Sequence, residues 1–275
     1  MMDPKGDMAT TKLYLQKLIE SAPLRESIIQ EAIDFLNLPP GSHGLDIGCG
    51  IGLHAPMLVE AVGKDGGVTG VDPSSEFIAH AKKKTEEIGI NNQATFLTGT
   101  VNSLHFDDET FDWIWSCDCV GYPSGNLRSD LQEIRRILKP GGTLAILGWT
   151  SQQVLPGYPI LETRLNATCS GVIPYYRGID PRHCFQRALG AFIDAGFHRP
   201  KAKTFICDVQ SPLSDDIKTA MVSLFEMLWG DRQQETLQVD WDDYRRLCHS
   251  KSSDFILNIP DYYGFFTYSM ILGQC

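Results

Sequence analysis

The stretch Leu45-Asp46-Ile47-Gly48-Cys49-Gly50-Ile51-Gly52 and the run Val68-Thr69-Gly70-Val71-Asp72 decide how this chain folds. Both begin as short apolar segments of strand type. The first delivers an acidic residue into a loop with Gly at alternate positions, and the second ends in a carboxylate twenty residues after Gly52. Gly48, Gly50 and Gly52 let backbone approach a ligand with no Cβ in the way, and Asp72 is placed to accept hydrogen bonds from a ribose diol. The pattern predicts a nucleoside-cofactor site.

Spacing narrows the nucleoside more than the glycines do. A dinucleotide fingerprint wants Gly-x-Gly-x-x-Gly; counting from Gly48 puts Leu53 at the third Gly, and counting from Gly50 puts Ala55 there. Ala is tolerated at that place, so a nicotinamide or flavin reading, and with it an NAD-dependent oxidoreductase, stays open. Asp46 at the strand end would repel a pyrophosphate but could pair with an ammonium. The loop has no Lys or Arg, which excludes a Gly-x-x-x-x-Gly-Lys-Ser/Thr triphosphate site. The chemistry favoured is a nucleoside carrying an amino acid.

On these residues the chain resembles the class I S-adenosylmethionine-dependent methyltransferases, whose first motif is Asp/Glu-x-Gly-x-Gly-x-Gly and whose second strand closes on an acidic residue, here Asp72. The likeness continues through Ala94–Val101 as third strand and adenine-side loop, and through Phe111–Ser116 as fourth strand. Leu131–Leu147, with Leu138-Lys139-Pro140-Gly141-Gly142, resembles the helix, turn and fifth strand that follow. It covers roughly residues 40 to 150 and is nearest in style to quinone-biosynthesis and other small-molecule methyltransferases. Many relatives carry Asp after the Gly of the third-strand loop; here that place is Thr100, whose hydroxyl can accept the same bond more weakly.

The resemblance implies an α/β, Rossmann-like, doubly wound sheet of seven strands, mostly parallel with an antiparallel last strand, plus helical lid insertions. It implies S-adenosylmethionine as cofactor. Asp46 would orient the methionyl end, Asp72 the ribose, and Thr100 with the Val101 backbone the adenine edge, with Pro73 packed on the adenine face. Gly48, Cys49, Gly50 and Gly52 would form the loop, and backbone near Ser116 and Cys117 would meet the amino-acid end. Residues 1–40 would be N-terminal helices, 41–150 the cofactor core, and 151–181 and 213–260 the acceptor-side insertions of one methyltransferase domain.

Composition bounds the rest. A chain of 275 residues, 43% hydrophobic, can bury a full core. A net charge of −10 argues against a phosphate-backbone partner, so nucleic-acid methylation is a poor fit. The only basic run, Lys82-Lys83-Lys84, lies on a predicted helix with Glu86 and Glu87 and reads as a solvated face. No apolar run is long enough to span a bilayer and no leader pattern is present, which predicts a cytoplasmic protein. The eight cysteines are scattered as buried free thiols are, and Cys117-x-Cys119 lacks metal-ligand spacing, so no metal is expected. The sequence does not set the oligomeric state.

Beyond Thr150 the pattern loosens. A short helix is expected around Ile160–Ala167, a helix over His183–Ala195, a strand over Lys203–Val209, two helices in Ser214–Ser250 and a last strand over Tyr263–Leu272. The insertions carry Tyr158, Tyr175, Tyr176, Phe225, Trp229, Trp241, Tyr262 and Tyr263. Such rings suit a lid over an apolar acceptor, and suit the core of an added helical layer equally. Tyr175 and Tyr176, adjacent in an irregular segment, are the candidate acceptor contacts. The acceptor is a small, apolar or aromatic molecule, with C- or O-methylation favoured. A general base, where one is needed, would be His105, His183 or His249, and no catalytic residue is assigned. A catalytically silent S-adenosylmethionine-binding protein is the alternative.

Overall fold

The structure, a computed structural model, describes residues 8–122, 127–168 and 183–275, with side chains from residue 12. Seven strands form one sheet in the order β3-β2-β1-β4-β5-β7-β6. They are β1 (His43–Ile47), β2 (Gly67–Asp72), β3 (Ala94–Thr98), β4 (Phe111–Cys117), β5 (Leu138–Gln153), β6 (His198–Gln210) and β7 (Tyr263–Gln274). β1 to β5 pair in parallel, and β7 runs antiparallel to β5 and β6. The chain leaves β1 outward through β2 to β3 and returns to the other side of β1 as β4. The strand order therefore reverses between β1 and β4, and in an open α/β sheet the ligand crevice opens at that reversal, beyond the carboxyl ends of the strands.

The helices are α1 (Met8–Leu36), α2 (Ala55–Val62), α3 (Ser75–Glu87), α4 (Leu127–Ile137), α5 (Pro159–Asn166), α6 (Ala188–Asp194), α7 (Asp215–Trp229) and α8 (Gln238–Cys248). α3 shows why they form where they do. The Ser74 hydroxyl accepts from Phe77 N–H at 3.2 Å and caps the first turn. Phe77, Ile78, Ala81 and Thr85 then repeat at helical spacing on the buried face, while Lys82, Lys83 and Lys84 are exposed, as expected of a solvated face. Ile88, just past the last turn, is 44% exposed. On α4 the buried side is Leu127, Leu131, Ile134 and Ile137, packed on Leu45, Ile114 and Ile146 of the sheet.

Lys139-Pro140-Gly141-Gly142, expected as a turn, lies within the span of β5 as a looped-out stretch with Gly141 at φ +80°. It is tied to the end of β7, where Gly141 N–H donates to Cys275 O (2.9 Å) and Cys275 N–H to Gly142 O (2.8 Å). The extra length is absorbed by a register jump, Phe111 facing Leu138 but Trp113 facing Thr143. The helix expected over His183–Ala195 opens as a 3₁₀ turn, Phe185–Arg187, before α6.

The described residues divide into two compact units. One takes Ile29–Trp149, the segment ending at Phe205, and Tyr268–Cys275. The other takes the chain through Ile28, residues from Thr150, and Ile206–Thr267. In the second, the rings that suited a lid are core. Phe225 and Trp229 stack at 5.8 Å, Trp229 meets Tyr244 edge-on, and Trp241 lies 4.9 Å from Tyr244. Tyr262 is buried with its hydroxyl donating to Val154 O at 3.0 Å. Their polar edges are satisfied locally, the Trp229 indole N–H by Asn166 Oδ1 at 3.1 Å. Tyr158 is half-buried under the Arg246 guanidinium, and Tyr263 is exposed.

Candidate cofactor site

All the described cofactor-site candidates lie in the first unit, at the carboxyl ends of β1 to β4. The loop after β1 is pinned from below. Gly48 and Cys49 N–H both donate to Val71 O (2.8 and 3.1 Å), and Gly50 N–H donates to Asp72 Oδ2 at 3.1 Å. These amides are committed to the protein, so the loop offers a ligand its bare Cα surface. The three glycines are needed for different reasons. All have positive φ, but a Cβ at Gly48 would collide with the Cys119 side chain, and one at Gly52 would come 2.9 Å from Ala81 Cβ. At Gly50 no atom lies within 4 Å, so this position opens onto free space. Gly50→Ala should therefore cost about 1–2 kcal/mol through its left-handed backbone alone, a small drop in melting temperature, while obstructing whatever nucleoside rests on the loop. A melt that falls as far as that of Gly48→Ala would show that Gly50 is packed rather than open.

Asp46 points into the layer beneath. It is 2% exposed, and neither carboxylate oxygen has a hydrogen-bond partner. Desolvation, with the Asp72 charge second, pushes its pKa up to about 8. A buried carboxylate with no donor is unusual in a folded protein. An ammonium brought to this loop, directly or through its ordered water, supplies the donors it lacks. Cys49 and Cys119 flank it, their thiols held protonated chiefly by burial and further by the two carboxylates.

Asp72 is 9% exposed, and its two oxygens accept from Ser74 N–H (2.8 Å) and Gly50 N–H (3.1 Å). Burial raises its pKa, while those two amides pull it down. The carboxylate thus ties the β1 loop to the start of α3 and stands at the crevice. Gly99 N–H donates to Asp72 O at 3.1 Å, bringing the β3 loop alongside; Thr100 and Pro73 are exposed there, and Val101 packs half-buried on the core. The Ser116 hydroxyl donates to Ile47 O (2.8 Å) and accepts from Val120 N–H (3.1 Å), so its side chain joins β1 to the β4 loop and only backbone there remains for a ligand. Cys117 is buried. These residues, from Asp46 to the β3 loop, fit a nucleoside that bears an amino acid.

Residues 45–142 match the protein family described as a methyltransferase domain. The match lies on the segment that runs from β1 to the start of β5. A demethylmenaquinone methyltransferase of Bacillus cereus is 33% identical over 132 residues, 47% of this chain and 53% of that protein. One from Listeria welshimeri is 31% identical over the same lengths, so the chain spans about half of each relative. Among solved structures, a SAM dependent methyltransferase from Aquifex aeolicus superposes with a TM-score of 0.51 at 23% identity, covering 66% of this chain and 87% of that one. A geranyl diphosphate methyltransferase in complex with SAM gives 0.53 at 17% identity over 99% and 92%. At those identities the likeness is one of fold.

The crevice does not gather the other candidates. Arg136, in the last turn of α4, donates to Leu104 O (3.2 Å) and Phe106 O (2.8 Å) and so holds His105 at the edge where the strands begin, opposite the crevice. The reason is the long excursion of the β3–β4 connection back to that edge. His183 and His249 are exposed. Tyr175 and Tyr176 lie outside the described residues. The seven described cysteines are free thiols, no described helix is long and apolar enough to cross a membrane, and among the described residues no cluster of metal-ligand type occurs. Sequence reasoning missed the side chain of Cys119, which packs on the loop, and the Trp115 indole N–H donating to His54 Nδ1 at 3.3 Å. Neither leaves a periodic signal, since both contacts join residues 61 or more apart in sequence.

Proposed function

We propose that the protein transfers the methyl group of S-adenosylmethionine to a small aromatic acceptor of the quinol type, at carbon or oxygen. The orphaned Asp46 carboxylate beneath an open Gly50, with Asp72 at the crevice, carries the cofactor half. The likeness to demethylmenaquinone methyltransferases supports the acceptor class. When bound, the cofactor supplies an electrophilic methyl on a sulfonium. The chain's part is to hold the donor by Asp46 and Asp72, keep water out, and hold an acceptor in line; much of the barrier is removed by that orientation. Asp46, Asp72, Pro73, Thr100, Val101 and the Ser116–Cys117 backbone are the residues assigned to the donor.

Calorimetric titration with S-adenosylmethionine, S-adenosylhomocysteine and NAD tests the cofactor, and binding of NAD alone would refute the reading. Asp72→Ala removes an acceptor of charge-assisted hydrogen bonds worth about 1.5–3 kcal/mol, so affinity should fall roughly 10- to 100-fold. Unchanged affinity would show that the ribose lies elsewhere. Transfer of labelled methyl to quinols tests the acceptor; a protein that binds the cofactor and methylates no extract component would be a sensor.

A further inference from the structure

We propose that Asp118 is the carboxylate that takes the acceptor's proton, and that Tyr268 sets its basicity; this rests on the methyl-transfer reading above. Asp118 is the first residue after β4, at the crevice end of the sheet, and the residue that follows it, Cys119, lies against Gly48 of the cofactor loop. Its backbone takes φ +51°, a left-handed conformation unfavourable for a residue with a Cβ. Among the described non-Gly residues with positive φ, the others are Asn37, Glu109 and Arg199, and Asp118 alone follows a strand into the β1/β4 crevice. Strain of this kind persists where surrounding contacts over-determine it, and here they do.

Two strands, β5 and β7, hold the group. Asp118 N–H donates to Leu147 O (2.8 Å), Oδ1 accepts from Trp149 N–H (2.9 Å), and Oδ2 accepts from the Tyr268 hydroxyl (2.8 Å) and, at 3.8 Å, from the Cys117 thiol. Trp149 in turn packs edge-on against Tyr268 at 5.5 Å, and Tyr268 is buried. The carboxylate is thus fixed in direction before any substrate arrives. It is also half-exposed, whereas Asp46 and Asp72 at the same edge are buried. Of the three carboxylates there, Asp118 is the one an acceptor can reach, and the imidazole of His105 is held at the opposite edge.

The step balances without another reactant. An enol or phenol O–H gives its proton to the Asp118 carboxylate, and the freed electron pair makes the new bond to the methyl from oxygen or from the conjugated ring carbon. The methyl–sulfur bond breaks with its pair left on sulfur as a neutral thioether. After attack from carbon, loss of the ring C–H proton to water restores aromaticity. The Tyr268 hydroxyl donates to the carboxylate, and a donor of this kind favours the charged form over the neutral acid.

The test uses Asp118→Asn, which can still accept from Trp149 N–H but cannot take a proton, and Tyr268→Phe, which removes the phenolic donor. Both should melt within a few degrees of wild type and bind S-adenosylmethionine within about twofold by calorimetry. With reduced 1,4-naphthohydroquinone as probe and labelled cofactor, Asp118→Asn should lose about 100-fold or more in kcat with KM nearly unchanged. Tyr268→Phe should keep activity but move the acid limb of kcat to higher pH. Wild-type turnover by Asp118→Asn, or an unmoved profile in Tyr268→Phe, would make the pair a structural clamp and overturn the proposal. If Asp118→Asn fails to fold, the Tyr268→Phe profile decides alone. A wild-type protein that methylates no acceptor would overturn the methyltransferase reading and this inference together, whereas the earlier outcomes overturn this inference only.

Discussion

Asp46→Asn should make the protein more stable at alkaline pH and a worse cofactor binder. The folded protein holds the Asp46 proton up to about pH 8, while the unfolded chain releases it near the ordinary value of 3.8. Between those values the folded state binds the extra proton, so this group's contribution is most favourable below about pH 4 and is lost progressively as pH rises through 8. Above 8 the fold carries an ionised carboxylate with both oxygens out of water and no donor. Asn imitates the neutral form at every pH. The variant should gain on the order of 5 kcal/mol at pH 9, visible as a melting temperature higher by about 10 °C or more, and match wild type below about pH 4. Its affinity for S-adenosylmethionine should fall roughly 10- to 100-fold, because the amide cannot pair with an ammonium. Parallel melts of the two proteins from pH 5 to 9 would show that Asp46 is already paired or hydrated in the fold.

The largest loss of stability is expected from Gly44→Ala. Gly44 sits in β1 opposite Trp113 of β4, and the indole lies flat over it. An added Cβ would occupy the position of the ring's fused carbons. Trp113 cannot retreat, because it is buried and its N–H donates to Ser42 Oγ at 2.9 Å inside the core. Overpacking of this kind costs roughly 3 kcal/mol, and displacement of the indole would leave the Ser42 hydroxyl unpaired as well. The melting temperature should drop by about 6–12 °C. The cause can be isolated by a double-mutant cycle with Trp113→Leu, in which the two changes together should cost at least about 1 kcal/mol less than their sum. Strict additivity would mean that the ring does not oppose the new methyl group.

These two positions also show where reading along the chain stops. That Gly44 precedes an apolar strand is visible; that a tryptophan 69 residues later covers it is not. The cofactor motif was legible because its signals are local. Alternate glycines encode positive φ, β1 and β2 are short buried runs, and Asp72 closes the second of them at a distance set by one helix and one turn. The helices α5, α7 and α8 and the last strand were likewise predictable from short-range periodicity and the Gly and Pro residues between them. The lid reading of Phe225, Trp229, Trp241 and Tyr262 was not separable from core, because an aromatic run has the same pattern in either role. Only partners such as Asn166 and Val154, far away in sequence, place those rings inside.

By itself, then, the sequence determined the α/β rhythm, the loop Gly48–Gly52 and the acidic pair Asp46 and Asp72, each a matter of backbone conformation or spacing within one βαβ unit. The tertiary structure decided which of these groups is dry, paired or open. Asp46 is unpartnered, Gly50 alone of the loop glycines faces free space, His105 is carried to the wrong edge, and Asp118 is gathered with Trp149 and Tyr268. Those properties depend on desolvation and contact summed over strands 30 to 150 residues apart, and no local pattern of side chains records that sum.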